Sequence, residues 1–195
     1  MDELILLDWK RRIFALYAEV RASSDPEAAW RRWCEVRSEL YRTHPQSPRP
    51  GSEPAYFPYD AGARVEAAVR QVEPVTLEIP GSAGTRIRFG RFAVARFELA
   101  DGEHELELYW LDAYGGGIFL PFGDGTNGQE TYGAGRYLLD TVKGADLGGR
   151  GDELVLDFNF AFNPSCAYDE SWACPLSPPK NRLPLRVEAG ELLPA

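Results

Sequence analysis

The sequence predicts a mainly β protein of the α+β class, in which an antiparallel β-barrel or strongly curved sandwich follows an N-terminal two-helix segment. Two observations lead to this fold class. Apolar residues recur at helical spacing in the first part of the chain, and from Tyr56 onward they alternate along it. A proline-rich connector at 44–51 separates the two patterns. We therefore predict a helical hairpin at 1–45 and a β-rich domain at 46–195, which together form one compact unit.

The N-terminal part contains the signals of two helices. An apolar stripe at helical spacing marks the first, and it consists of Leu6, Ile13, Tyr17 and Val20. The second helix begins at Ser24-Asp25-Pro26-Glu27, where a capping residue, a first-turn proline and a capping-box glutamate follow one another. One face of this helix is formed by Trp30, Trp33, Cys34, Arg37, Leu40 and Tyr41. We expect this tryptophan-rich face to pack on the sheet rather than to hold a ligand.

The strands are predicted in order along the β-rich part. Residues 75–79 alternate between apolar and polar side chains, and the Pro-Gly-rich stretch that follows turns the chain into a return strand. Asp101-Gly102 is a hairpin signal that joins strands near 91–99 and 103–111. Residues 118–122 are apolar on both faces and are expected in the middle of the structure. Further strands are predicted at 136–142, 152–162 and 183–188.

Composition and charge limit the classes of partner. Of the 195 residues, 44% are hydrophobic and 26% are charged, which is typical of a folded domain. The net charge of −9 argues against nucleic acids and anionic membranes, because both are polyanions. No apolar run approaches the length of a membrane span, and the acidic start is unlike a signal peptide. We expect a cytoplasmic protein; the sequence predicts neither a cofactor nor an oligomeric state.

Three cysteines, Cys34, Cys166 and Cys174, are present in this chain. The spacing between the last two does not match a zinc site, and the chain has only two histidines, so no metal site is predicted. Seven intervening residues are enough for Cys166 and Cys174 to approach within disulfide range. We therefore expect these two thiols to lie close together and, in a cytoplasmic setting, to be reduced.

A glycine-rich stretch at 123–136 contains the first group of candidate site residues. Its glycines match no phosphate-binding motif and are typical of tight turns. The same stretch also concentrates Asp124, Glu130, Tyr132 and Arg136. Arg136 could pair with one of the two carboxylates and fix the loop, or it could bind the carboxylate or phosphate of a ligand. The sequence leaves both roles open.

A polar row on the predicted strand 152–162 supplies the second group. Asp157, Asn159 and Asn163 lie opposite a leucine- and phenylalanine-rich face, although Asp and Asn are depleted in strands. The row could be exposed to solvent, could cap neighbouring loops, or could face a cavity and orient a ligand. The candidate ligand-binding residues are therefore Asp124, Glu130, Tyr132, Arg136, Asp157, Asn159 and Asn163, with Arg136 as the anion-facing group.

Several motifs together resemble the family called domain of unknown function 1684. They are Tyr56-Phe57-Pro58-Tyr59-Asp60, Glu130-Thr131-Tyr132-Gly133-Ala134-Gly135-Arg136-Tyr137, Leu156-Asp157-Phe158-Asn159, Asn163-Pro164, Cys174-Pro175-Leu176 and Asn181-Arg182-Leu183-Pro184. The resemblance covers residues 55–191. It directs attention to the polar residues within these motifs, and it implies no activity because none is assigned to the family.

Three functional hypotheses follow from these residues. The first is a domain that binds a small polar or anionic molecule in a pocket between the 123–136 loop and the 157–163 strand. The second is a structural or protein-interaction domain, in which the same side chains only hold loops together. The third is a hydrolase-like enzyme with Glu130, Asp157 or Asp124 as the acid–base group. The sequence lacks a nucleophile motif and a histidine near the cluster, so we favour the first hypothesis and leave catalysis open.

Overall fold

A computed structural model describes residues 2–99 and 102–194 of the chain. The two predicted helices are present as α1 (Asp2–Ala22) and α2 (Pro26–Thr43). Asp25 caps α2, because its side chain accepts a hydrogen bond from the amide of Ala28 at 3.0 Å. Since the cap is Asp25 and not Ser24, Glu27 lies one position early for a capping box and instead pairs with Arg31 at 2.5 Å.

Seven strands form a single antiparallel sheet that curls into a half-barrel. They are β1 (Arg64–Pro80), β2 (Arg86–Leu99), β3 (Gly102–Leu111), β4 (Ile118–Phe122), β5 (Arg136–Asp140), β6 (Gly149–Arg150) and β7 (Glu153–Asp157). Their order across the sheet is β5-β4-β3-β2-β1-β7-β6. The predicted mainly β, antiparallel fold with N-terminal helices is confirmed. In the predicted hairpin, Leu99 pairs with Gly102, whereas Asp101 lies outside the described residues.

Three of the later strands differ from the prediction. The strand predicted at 136–142 ends at Asp140, where a 3₁₀ turn begins. The strand predicted at 152–162 ends at Asp157, because that side chain accepts a hydrogen bond from the amide of Asn159 and starts a 3₁₀ helix. Residues 183–188 form no strand. There the amide of Leu183 bonds to the Gly123 carbonyl, so this segment follows a loop and not the sheet.

The core lies between the two helices and one face of the sheet. Trp33 of α2 is fully buried and contacts Phe160 edge-to-face at 5.3 Å. The sheet contributes three small, fully buried side chains to this core, namely Ala67, Ala93 and Ala95. Along α1, Ile13, Leu16 and Tyr17 face this core, whereas Leu6 is 45% exposed and does not continue the predicted stripe.

None of the helices in the described residues has both the length and the apolar character needed to cross a membrane. The division of the chain at residue 45 stays a prediction.

Candidate functional site

The seven predicted site residues are not gathered in one pocket. Four of them form two hydrogen-bonded pairs, one bonds to the C-terminal segment, and two lie nearer to the surface. Among the described residues, no hydrogen bond or ion pair joins the first pair to the second. Each group is therefore described in its own surroundings.

Asp124 and Arg136 form a completely buried ion pair. Arg136, the first residue of β5, donates to the Asp124 carboxylate at 2.9 Å, and neither side chain is exposed. The same guanidinium also donates to the carbonyls of Val187, at 3.0 Å, and of Ala189. Burial lowers the pKa of Arg136, and the charge of Asp124 opposes that shift. The pair thus binds the C-terminal segment of the same chain.

The loop around this pair is also held by its own side chains. Asp124 accepts hydrogen bonds from the amide and hydroxyl of Thr126 at 2.7 and 2.6 Å. The Thr126 hydroxyl lies 2.8 Å from that of Thr131, and the side-chain amide of Asn127 donates to the Tyr132 carbonyl at 2.9 Å. These bonds satisfy polar groups inside the loop, which explains why it concentrates so many of them.

Glu130 and Tyr132 lie outside this buried pair. Glu130 pairs with Arg186 at 2.7 Å on the surface, where the two side chains are 39% and 42% exposed. A hydrogen bond from Arg186 lowers the pKa of Glu130. The hydroxyl of Tyr132 lies 3.7 Å from the sulfur of Cys166. Neither residue bonds to Arg136.

The side chain of Asn163 donates to the Leu192 carbonyl at 2.7 Å, and its backbone bonds to a second buried ion pair, which the sequence did not reveal. The Arg37 guanidinium of α2 donates to the Glu191 carboxylate at 2.7 Å. The backbone amide of Asn163 donates to the same carboxylate oxygen at 3.0 Å. The hydroxyl of Tyr168 donates to the other oxygen. Arg37 also lies over the ring of Trp33 at 4.8 Å. The only indication of this site in the sequence was Arg37, a charged residue within the tryptophan-rich face of α2. It does not indicate that Glu191 is its partner.

Asp157 and Asn159 form the second hydrogen-bonded pair, at the end of β7. One oxygen of Asp157 accepts from the amide and the side chain of Asn159 at 3.1 and 2.8 Å. Asn159 bonds in turn to the main chain of Asp60, donating at 2.7 Å and accepting at 2.9 Å. Asn159 therefore attaches the segment before β1 to the end of β7. Its side-chain nitrogen and oxygen are both engaged in hydrogen bonds within the chain. The other oxygen of Asp157, Oδ2, has no hydrogen-bond partner among the described residues.

Asp157 lies on the wall of a groove of about 360 Å³ between the helix pair and the edge of the sheet formed by β1, β7 and β6. Its lining includes apolar side chains such as Val20, Leu147 and Phe160, and its charged residues are Arg21, Arg64, Glu66, Arg150, Glu153 and Asp157. The Nε atom of Arg64 lies 3.9 Å from the free Asp157 oxygen, too far for a hydrogen bond. Within residues 2–99 and 102–194, no three His, Cys, Asp or Glu side chains are grouped to hold a metal ion.

Burial raises the pKa of Asp157 to about 6, although hydrogen bonds from Asn159 and the charge of Arg64 oppose this shift. The residue is 1% exposed, so desolvation dominates over these two favourable contacts. Near neutral pH the group is an acceptor, and below about pH 6 it becomes a donor. The groove thus contains one group whose hydrogen-bonding role changes with pH.

We expect this carboxyl group to make the folded protein less stable as pH rises from about 4 to 6. The folded state then keeps a proton that the unfolded state, with an ordinary aspartate pKa of 3.8, has released. At about 1.4 kcal/mol for each pKa unit, the loss is about 3 kcal/mol. Urea unfolding of the parent and of Asp157→Asn across this range should show a difference in unfolding free energy that changes by this amount. A difference independent of pH would contradict the assignment.

Comparison with known proteins gives the family of this chain. The family described as "Protein of unknown function (DUF1684)" matches residues 52–192. A similar solved structure is the solution NMR structure of an uncharacterized protein of Haloarcula marismortui, which is 32% identical. It matches 85% of this chain and 93% of its own, with a TM-score of 0.60. No curated protein matches. This chain therefore belongs to the DUF1684 family of proteins of unknown function.

Proposed function

We propose that this protein binds a small polar molecule in the groove beside Asp157. The observation that carries the proposal is the free carboxylate oxygen of that residue. A buried acceptor without a hydrogen bond costs about 1–3 kcal/mol, so such atoms are rare unless a ligand or water binds them. Among the described residues, Asp157 is the one that combines a buried, unpartnered polar atom with a position on the groove wall.

The charges around the groove indicate the chemistry of the ligand. Arg64 and Arg150 line the groove and offer cationic groups, and Arg21 is already engaged with the Asp146 carbonyl at 2.7 Å. Asp157 accepts a hydrogen bond and therefore requires a donor. A molecule with an amino or hydroxyl group for Asp157 and an acidic group for Arg64 or Arg150 satisfies both requirements. The groove volume is in the range of small-molecule sites.

The buried pair of Asp124 and Arg136 has a different role in this proposal. Its guanidinium is enclosed by the carboxylate and the carbonyls of the C-terminal segment, which leaves no face for an anionic ligand. This observation favours the structural hypothesis for the 123–136 loop. Ligand binding is accordingly assigned to the groove, with Asp157 as the one predicted candidate that lines it.

Native mass spectrometry and NMR test the proposal directly. The freshly purified protein is examined for a retained small molecule, and is then titrated with amino acids and aminoalkyl phosphates as probes. We expect a retained mass, or amide shifts at residues 147–157 on addition of a probe. Asp157→Asn should lose both, because an amide in place of the carboxylate no longer offers a charged acceptor in the groove.

The matched control is Asp112→Asn, which makes the same chemical change at an exposed residue outside the groove. This variant should bind as the parent does. Equal binding by Asp157→Asn and the parent would contradict the proposal. So would the absence of a retained mass together with no response to any probe.

A further inference from the structure

Cys166 and Cys174 form a buried pair of thiols away from the groove. Cys166 lies in the 3₁₀ helix Ser165–Ala167, and its amide donates to the sulfur of Cys174 at 3.4 Å. The two residues are 5% and 4% exposed, and they are free cysteines in this structure. The third cysteine, Cys34, is on α2 and takes no part in this pair. The fold therefore brings the two cysteines together within one irregular segment.

The surroundings of the pair distinguish its two members. A hydrogen bond from the Cys174 thiol, supported by Ser82 and Tyr132, lowers the pKa of Cys166 to about 6 against the opposing effect of burial. The same hydrogen bond and burial raise the pKa of Cys174. The half-buried Tyr132 places its hydroxyl 3.7 Å from the Cys166 sulfur. Cys166 thus has the character of a nucleophilic thiolate, and Cys174 is the protonated thiol beside it.

The segment that carries the thiols is held to the rest of the fold by hydrogen bonds, and those next to Cys174 involve Ser82. The amide of Cys174 donates to the Ser82 hydroxyl at 2.9 Å, and that hydroxyl donates to the Trp172 carbonyl at 2.6 Å. Residues 169–171 are exposed, and no strand of the sheet includes them. A covalent bond between the two sulfurs would close this segment on itself, because the sulfur of Cys174 already lies 3.4 Å from the backbone nitrogen of Cys166.

We propose that Cys166 and Cys174 are a modification site at which a hydroperoxide oxidises the two thiols to an intramolecular disulfide. The Cys166 thiolate attacks the terminal oxygen of the hydroperoxide, so that an S–O bond forms and the O–O bond breaks. The leaving alkoxide, or hydroxide for hydrogen peroxide, takes up a proton and departs as an alcohol or as water. Cys166 is then a sulfenic acid, oxidised by two electrons.

The second step uses the neighbouring thiol. The sulfur of Cys174 attacks the sulfur of Cys166, the S–S bond forms and the S–O bond breaks. The hydroxide that leaves takes the proton of Cys174 and departs as water. Two thiols and one hydroperoxide thus give one disulfide, one alcohol and one water. The hydroperoxide supplies the oxidising equivalents, and an external dithiol reverses the change.

The experiment starts from the full chain after reduction with dithiothreitol and its removal. Hydrogen peroxide is added with free glutathione in the same tube as an internal reference for oxidation. Thiols are then counted under denaturing conditions, and peptides are examined by mass spectrometry. We expect the count to fall from three to one, with a peptide linked between residues 166 and 174. The remaining free thiol should be Cys34, because burial raises its pKa to about 12. Dithiothreitol should restore all three thiols.

Variants separate the two steps. Cys174→Ser should accumulate a sulfenic acid at Cys166, which a dimedone adduct detects, and Cys166→Ser should form neither product. Tyr132→Phe should slow the reaction several-fold, and Cys34→Ser should leave it unchanged. Three free thiols in the parent after the glutathione has been oxidised would overturn the proposal, and this result requires no variant. Oxidation of Cys34 ahead of the pair would also overturn it.

Discussion

Replacement of Arg136 by alanine is expected to lower the free energy of unfolding by about 3–5 kcal/mol, because it leaves the Asp124 carboxylate buried without its cation. The carbonyls of Val187 and Ala189 lose their donors in the same variant, so the C-terminal segment loosens as well. Chemical denaturation of the purified variant and the parent measures this difference. If Arg136 instead faced a solvent-filled pocket, the loss would be about 0–1 kcal/mol, as at exposed ion pairs.

The matched control for this prediction is Arg186→Ala. Arg186 pairs with Glu130 at 2.7 Å and Arg136 pairs with Asp124 at 2.9 Å, so the two pairs have similar geometry. They differ in burial, since the first pair is about 40% exposed and the second is fully buried. Arg186→Ala should therefore cost only a small fraction of the loss in Arg136→Ala. Similar losses in the two variants would show that burial does not set the stability of this loop.

The fold class could be predicted because its signals are local. Helical spacing in the first part of the chain and alternation after the proline connector each appear within a few consecutive residues. The strand predicted at 152–162 failed for a reason that is also local. Asp157 is followed two residues later by Asn159, and its side chain accepts from that amide, which turns the backbone away from a strand. The alternation of apolar and polar residues continues to residue 162, although the strand itself ends at Asp157.

The sites could be predicted only in part because their partners are distant in sequence. The sequence correctly indicated that Arg136 could pair with Asp124 and fix its loop, and these residues are near each other in the chain. The carbonyls that enclose Arg136 come from residues 187–189, about fifty positions away, and no local pattern identifies them. The groove is similar in this respect, since helices and strands from both parts of the chain line it.

The second large effect is expected at the buried pair of Arg37 and Glu191. Arg37→Met should lower the free energy of unfolding by about 3–5 kcal/mol, because the Glu191 carboxylate is 0% exposed and would lose its only cation at hydrogen-bond distance among the described residues. Methionine keeps most of the apolar contact with Trp33, so the loss of charge dominates. Urea unfolding provides the measurement. Arg31→Met on the same helix is the control, since that side chain is 69% exposed and its loss should have little effect.

A double-mutant cycle shows whether this loss comes from the unpaired charge. Glu191→Gln removes the negative charge and keeps an oxygen that can accept from the amide of Asn163. The double variant Arg37→Met with Glu191→Gln should therefore be more stable than the sum of the two single losses predicts. The recovery should be incomplete, because the amide group of the new side chain cannot accept from the Tyr168 hydroxyl as the second carboxylate oxygen does. Strictly additive losses would contradict a direct charge interaction, and would mean that α2 is attached to the C-terminal segment by packing alone.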